Sequence, residues 1–399
     1  MIRMAHGVVA LSTFVALFGC SSTQAGWQKA APLPEPRWFH ASGAVQDGRV
    51  AVFGGYVLVG TEKARKFGVG PYSIQIYDPS TNRWMDGPAA PPYQLRYVFD
   101  AFVQKHVGDP TLRVPTETIH KNSIPYELPN GASDGMWRVY WFARAGPVAY
   151  DVKIGKWVQP PSPILYQDPR RYEGPVPKYY RTGGATATGP GGRLYLVSGA
   201  GRPLVGPGSV ERSKLLNSVE IYDPKTNTWS EAAPMQVARQ DLAAAFGKDG
   251  TLYVFGGCSC TGTAVIDYDD PEVMRRALIE QLEQRRSVKI TEAYDPKTNT
   301  WQTRAPMPEP RQMLAAARGA DGKIYVIGGV LSYSGMEKKA TVDVYDPATD
   351  TWSEGPELHM ARHGHTAVST PHGRIYLIGG SGPKGPTASV EVLDTAPKK

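Results

Sequence analysis

Six arginines stand at corresponding places in this 399-residue chain: Arg37, Arg96, Arg181, Arg239, Arg311 and Arg362. Four follow a tryptophan at one fixed distance, as Trp27–Arg37, Trp229–Arg239, Trp301–Arg311 and Trp352–Arg362. Arg96 trails Trp84 by slightly more, and a stretch rich in Pro, Tyr and Arg separates Arg181 from Trp157. A guanidinium is a planar, permanently charged fork that matches carboxylate or phosphate. Arginines repeated at equivalent positions can face an acidic ligand, or can bond the carbonyls and carboxylates of their own loops. Both readings stay open at this stage. Three residues past Arg37 and Arg362 come His40 and His365, and His363 would leave an extended strand on the same side as His365. These three imidazoles are weak candidates for metal ligation. No metal or other cofactor is expected.

The elements that must hold these side chains repeat along the chain, and such periods are the first thing to establish in a sequence. Tyr-Asp-Pro followed by Trp occurs at Tyr77–Trp84, Tyr222–Trp229, Tyr294–Trp301 and Tyr345–Trp352, with a copy lacking the proline at Tyr150–Trp157. A glycine pair recurs at Gly54-Gly55, Gly256-Gly257, Gly328-Gly329 and Gly379-Gly380, with degraded copies at Ser198-Gly199 and Ala145-Gly146. Short β-branched and aromatic runs such as Ile324–Ile327 and Val342–Tyr345, bounded by turn residues, read as strands. Asp249-Gly250 and Asp321-Gly322 read as hairpin turns. Glycine and proline number 43 and 35, which suits many short strands better than helices. The last unit ends at Asp394 without its Trp, whereas Trp27–Arg37 reads almost letter for letter like Trp301–Arg311.

The glycine pair, the Tyr-Asp-Pro turn, the Trp and the Arg together resemble the kelch repeat family, over nearly everything from Trp27 to Asp394. The resemblance implies an all-β fold, a propeller of four-stranded blades. Here it implies six blades over residues 27–394, closed by the N-terminal strand completing the last one. In each blade strand A, which follows the Arg, lies innermost. Strand B ends at the glycine pair, strand C carries the Tyr and strand D the Trp. The six arginines should then circle the mouth of a central channel, and closure should bring His40 near His365. In some kelch proteins the corresponding arginines bind acidic ligands.

In such a blade the D–A and B–C connections share one face, and the A–B and C–D turns share the other. The long pieces 56–73, 159–180, 200–217, 258–290 and 330–340 all fall on the first face, leaving the second flat. Asp270-Pro271-Glu272 should open a helix in the fourth of these, with Asp as N-cap and Pro at the first helical position. With Arg96 taken as the opening of strand A in the second blade, the segment between Arg96 and Trp137 is expected in an A–B connection on the flat face.

Residues 1–20 read as a leader: Arg3 precedes an apolar run from Gly7 to Phe18 too short to span a bilayer. Leu17-Phe18-Gly19-Cys20 resembles a bacterial lipobox, which implies lipidation of Cys20 and an outer-membrane lipoprotein of the cell envelope. Cleavage after Ala25, giving a periplasmic or secreted protein, is the competing reading. Residues 21–26 form a linker and 395–399 a tail. The remaining Cys258 and Cys260 would face an oxidising compartment. Net charge is +7 with no dense basic run, so nucleic acid is not implied.

These features point to an exported, lipid-anchored, monomeric propeller that binds a protein or glycan ligand through its arginine-bearing face and meets the membrane only through its lipid. No catalytic residue is assigned. One alternative is an enzyme acting on an anionic sugar, resembling six-bladed mutarotases and epimerases that use a Glu and an Arg near the channel. Glu211 and Arg212 are such a pair, without a matching motif. A copper-dependent oxidase resembling galactose oxidase is less favoured, because no stretch matches its ligand segments. A propeller fold alone does not choose among these.

Overall fold

The computed structural model describes residues 26–59, 66–69, 73–89, 130–143, 146–158, 179–203, 214–259, 287–332 and 336–397. Arg96, Cys20, Cys260 and the helix expected from Asp270 lie outside them. The described strands form six antiparallel sheets of four or five strands arranged as a six-bladed β-propeller, with two further two-stranded ribbons, Tyr56–Val59 with Lys66–Val69 and Ser381–Gly382 with Gly385–Pro386, and no α-helix occurs among the described residues.

From the axis outward, blade 1 is Ala41–Ala44, Val50–Phe53, Ser73–Asp78 and Arg83–Ala89. Blade 2 is Asn130–Ser133, Arg138–Ala143, Gly146–Asp151 and Lys156–Val158. Blade 3 is Ala185–Thr188, Leu194–Pro203, Lys214–Asp223 and Thr228–Ala232, with Tyr179–Thr182 paired on the far end of its second strand. Blade 4 is Ala243–Phe246, Leu252–Phe255, Thr291–Asp295 and Thr300–Arg304. Blade 5 is Ala315–Arg318, Ile324–Ile327, Val342–Asp346 and Thr351–Glu354. Blade 6 is Thr366–Ser369, Arg374–Ile378, Val390–Asp394 and, from the other end of the chain, Gln28–Ala30. Gln28 pairs with Val392 and Ala30 with Val390, so the expected closure is observed.

No blade owns a core. Each of six apolar clusters straddles two neighbouring blades. Ile327 and Val344 of blade 5, for example, pack with Ile375, Leu377 and Trp27 of blade 6. The cluster between blades 6 and 1 joins Tyr376 and Ile378 to Val50, Val52 and Tyr77. The second strands of blades 4 and 5, Leu-Tyr-Val-Phe and Ile-Tyr-Val-Ile, are buried at every position because neighbours cover both faces. The innermost strands converge on the axis and are built from small residues, as in Ala-Ser-Gly-Ala and Ala-Ala-Ala-Phe.

Blade is also tied to blade by its outermost strand. The indole N–H groups of Trp84, Trp157, Trp301, Trp352 and Trp27 donate to carbonyls of the preceding blade's outer link: Ala31 (2.9 Å), Pro88 (3.0 Å), Ala233 (2.7 Å), Ala305 (2.9 Å) and Pro356 (2.8 Å). Asn82, Asn299 and Asp350 stand in the C–D turns with left-handed backbone, φ 53, 55 and 54°. Each accepts the hydroxyl of its blade's Tyr and a main-chain N–H of the same neighbouring link, Ala31, Ala233 or Ala305. Asn and Asp tolerate this conformation better than other residues with a Cβ, which explains their place in the repeat.

One expectation is corrected. The innermost strand of blade 2 is Asn130–Ser133, and it reaches the second strand through the short turn 134–137. The insertion therefore lies in the D–A connection between blades 1 and 2, whose ends fall on the loop-rich face, and not in an A–B turn on the flat face. In the other blades the Arg stands four residues before the innermost strand, as Arg37 does before Ala41. The same count from Asn130 leads to Tyr126. Arg96 therefore does not open the innermost strand of blade 2.

Because every core is shared, losing the closing strand should unfold the whole ring. A chain beginning at residue 38 is expected to lose cooperative melting. Trp27→Ala, at a side chain 4% exposed, should cost about 3–5 kcal/mol in urea titration. A truncated chain that melts like the chain from Ser21 onward would show that closure is dispensable.

Candidate functional site

Five of the six arginines lie among the described residues, and all five are buried: Arg37, Arg181, Arg239, Arg311 and Arg362. Each turns back into its own blade. Arg37 donates from Nη2 to Gln75 Oε1 (2.7 Å) and from Nη1 to Gly54 O (3.2 Å). Arg181 pairs with Glu220, Arg239 with Glu292, Arg311 with Asp343 and Arg362 with Glu391. Further bonds go to carbonyls at the B–C connection, such as Gly328 and Thr341 for Arg311, each 3.2 Å. Burial lowers the guanidinium of Arg37 and of Arg311 to about 10, which still leaves both charged at neutral pH. In this arrangement the forks hold the blades. A ligand reaches them only by displacing an internal carboxylate or amide.

The partners were legible but unpaired in the sequence. Gln75, Glu220, Glu292, Asp343 and Glu391 all stand two residues before the Tyr, or its equivalent Leu393, on the third strand. Blade 2 carries Val148 there, and the residues leading into its innermost strand lie outside the described ones.

Two residues past each buried Arg the chain turns through the left-handed region, at Phe39, Gly183, Asp241, Met313 and Gly364 (φ 50, 62, 56, 53 and 61°). Such a backbone is costly at the three residues that carry a Cβ. A belt of main-chain hydrogen bonds holds it. Asp241 N donates to Gly183 O (2.6 Å), Met313 N to Asp241 O (2.8 Å), Gly364 N to Met313 O (3.0 Å) and Phe39 N to Gly364 O (2.7 Å). The belt rims a cavity of about 180 Å³ at the channel mouth, lined mainly by the first residues of the innermost strands, with Asp241, His40, His365, Ser42, Thr186 and Thr366 as its polar members.

His40 and His365 do come from neighbouring blades, yet they make separate bonds. His365 Nε2 lies 3.2 Å from Ile327 O, so it carries the proton and donates. His40 Nε2 lies 2.9 Å from Thr366 Oγ1. Each ring is wedged against the first glycine of the preceding blade's pair. A Cβ on Gly379 would lie 2.8 Å from His40 Cε1, and one on Gly328 2.7 Å from His365 Cε1. Leu314 fills the same place against Gly256. Burial, and then the charge of Arg37, pushes His40 down to about 3; His365 falls well below the usual range for the same kinds of reason. His363 stands apart, its ring edge-on to Trp38 at 5.6 Å, and burial lowers it to about 4. Among the described residues no three His, Cys, Asp or Glu side chains gather closely enough to hold a metal ion.

One tier above the belt, sequence reasoning missed Gln312. Neither amide atom of its buried side chain has a hydrogen-bond partner, and neither ring nitrogen of His363 has one. Both follow directly after a buried Arg, in adjacent blades. Lys338 reaches over blade 6, where Nζ donates to Gly382 O at 2.5 Å. Burial lowers its pKa.

The family model for the Kelch motif matches residues 181–236 and 314–359. The chain carries kelch repeats. Similar curated proteins are Kelch-like protein 35 of Mus musculus, 29% identical over 188 residues (47% of this chain, 27% of the relative), and Kelch-like protein 36 of Bos taurus, 30% over 196 residues (41% and 31%). Kelch repeat and BTB domain-containing protein 13 of Homo sapiens is 37% identical over 106 residues (26% and 22%). The chain thus spans under a third of the length of these relatives. The two matched kelch units lie in blades 3 and 5, and the first opens on the buried Arg181.

Two outcomes follow for these kelch blades. Glu292→Ala strands a buried cation and should cost about 3–5 kcal/mol, whereas Arg239→Met with Glu292→Leu should cost far less, because no buried charge is left unpaired. Equal losses in urea titrations of both variants would overturn this assignment. His40→Leu with His365→Leu should fold, since Leu314 occupies the equivalent wedge. Both histidines are neutral in the fold but bind protons near pH 6.5 when unfolded. Stability is therefore lost as pH falls from about 6.5 towards about 3, by up to about 1.4 kcal/mol per pH unit for each ring. The double variant should lose stability less steeply across pH 6.5 to 4.5 than the parent. Identical slopes would count against buried neutral wedges.

Proposed function

We propose that this chain is an exported, lipid-anchored kelch propeller that recognises a protein or glycan ligand at the channel mouth on its loop-rich face, without transforming it. The observation that carries the reading is two buried, unpartnered side chains, Gln312 and His363, each one residue before a belt residue, Met313 or Gly364, that lines the cavity. An unsatisfied buried amide is costly, and a ligand or its bridging waters would satisfy it. With burial keeping His363 neutral, the two side chains offer donors and acceptors suited to hydroxyl or amide groups, and Lys338 adds a cation nearby. Long connections held over a rigid scaffold are where recognition usually resides.

Export rests on the leader-like residues 1–20 with Leu17-Phe18-Gly19-Cys20. Cys258 is in a disulfide, which suits an oxidising compartment. Mass spectrometry of the membrane-bound protein should find an acylated N-terminal Cys20; an unmodified N-terminus after Ala25 would replace the anchor with secretion.

The recognition reading is tested by probing glycan and peptide arrays with the chain from Ser21 onward and retesting each hit against Gln312→Leu with His363→Leu. Removing unpartnered polar atoms should leave Tm unchanged or higher, while binding should weaken by about tenfold or more, the worth of one or two lost hydrogen bonds. Undiminished binding by the folded variant would move the ligand away from this mouth.

A further inference from the structure

The flat face carries its own anomaly, confined to blade 2. Among the described residues the exposed large hydrophobic side chains are Met85, Met136 and Ile154, at 44, 53 and 57%. All three lie on blades 1 and 2. Met136 sits in the A–B turn of blade 2 and Ile154 in its C–D turn. The two turns are tied together, with Val152 N donating to Trp137 O at 2.8 Å.

The corresponding turns of other blades are polar. Ile154 stands where Thr81, Thr226, Thr298 and Thr349 stand, and Gly155 stands in the left-handed place of Asn82, with φ 66°. The A–B turn reads Asp134-Gly135-Met136-Trp137 against Lys248-Asp249-Gly250 and Ala320-Asp321-Gly322. Among the described residues the side chains of Ile154 and Met136 are exposed and do not join the apolar cluster below them.

The charges at this tip lean positive, with Lys153, Lys156 and Arg138 against Asp134 and Asp151. Lys153 lies over the Trp137 ring at 5.4 Å, and Lys156 is exposed; neither is ion-paired. The local carboxylates are committed to the turns. Asp134 accepts the N–H groups of Met136 and Arg138, and Asp151 accepts those of Lys153 and Ile154 and pairs with Arg138. Apolar tips, a tryptophan and lysines with extended stems on one face form the composition that settles at a membrane interface.

We propose that the flat face of blade 2 lies against the headgroup region of an anionic lipid bilayer, with Met136 and Ile154 entering it and Lys153 and Lys156 meeting its phosphates. The course of the chain favours this occupant over another protein. The outermost strand of blade 6 is antiparallel to Val390–Asp394 and is entered from the flat face, with Gln28 opposite Val392. The six residues between Cys20 and Trp27 reach about 20 Å at full extension. A lipid on Cys20 would hold this same face to the bilayer, so the orientation rests on the lipid-anchor reading above, while the surface itself does not. One acyl signal binds weakly alone, and a second contact fixes both affinity and orientation.

The test uses the unacylated chain from Ser21 onward, which holds every strand of the six sheets. It is mixed with vesicles of phosphatidylcholine, alone or with phosphatidylglycerol. The expected result is cosedimentation with the anionic vesicles. Met136→Ser with Ile154→Ser should lower the bound fraction by about tenfold, as exposed apolar area sets such affinity, and leave Tm unchanged. Lys153→Glu with Lys156→Glu should remove the preference for phosphatidylglycerol. Absence of vesicle binding, binding indifferent to Met136→Ser with Ile154→Ser, or a dimer in sedimentation that this variant dissolves would each overturn the proposal. A Cys20 found without lipid would remove the anchor and leave the vesicle result standing.

Discussion

A guanidinium taken out of water and paired within its own blade sets where each innermost strand begins. In five blades the Arg is anchored to a carboxylate or amide on the third strand and to carbonyls at the B–C connection. A buried pair of this kind contributes little net stability, but leaving either partner alone is severely penalised. It therefore acts as a register pin. With the Arg held, the next residue pairs with the chain just past the glycine pair, as Gln240 does with Cys258 and Gln312 with Val330. The residue after that turns left-handed and joins the belt around the mouth. The shape of the channel entrance is thus a consequence of ion pairs buried inside the blades.

The second constraint is closure. Since each apolar cluster belongs to two blades, a single blade has no core with which to fold, and stability is a property of the ring. The strand Gln28–Ala30 completes one sheet, but its flanks do more. Trp27 bonds the link leaving blade 5, and Ala31 accepts the indole N–H of Trp84 at its carbonyl and donates its own N–H to the Asn82 carboxamide oxygen of blade 1. The N-terminal segment thereby touches three consecutive blades.

Blade 2 departs from the others in three ways at once. It shows no Arg pin among the described residues, it follows the long D–A insertion, and it places Met136 and Ile154 on the flat face. Its cohesion comes instead from aromatic packing, where Trp141 and Trp157 meet Phe53 of blade 1 at 4.7 and 5.4 Å. A blade freed from the register pin can accept long insertions and unusual turns, provided its two neighbours still cover it. The two faces of the propeller consequently offer different chemistry. The loop-rich face presents a belted polar mouth, and the flat face presents one apolar, cationic corner.

Repeats alone establish much of this architecture. The four Tyr-Asp-Pro…Trp units, the glycine pairs and the match of Trp27–Arg37 to Trp301–Arg311 are local patterns, and local patterns dictate strands, turns, blade number and the closing strand. The Tyr, Asn and Trp of each unit keep their spacing because they act across one turn and onto the adjacent link. What the sequence by itself did not determine was direction and partnership. The acid two residues before each Tyr was visible at every repeat. Only the stacking of strands brings it to the Arg, because the two lie on the innermost and third strands of a sheet. Arg96 shows the converse: it has nearly the right spacing from Trp84, yet the strand that defines the position begins at Asn130, and only pairing with Arg138–Ala143 reveals it. His40 and His365 read as possible ligands in one dimension. Burial against a neighbouring blade's glycine makes them wedges, since a side chain's chemistry depends on what surrounds it, and in a propeller those surroundings come from the next blade.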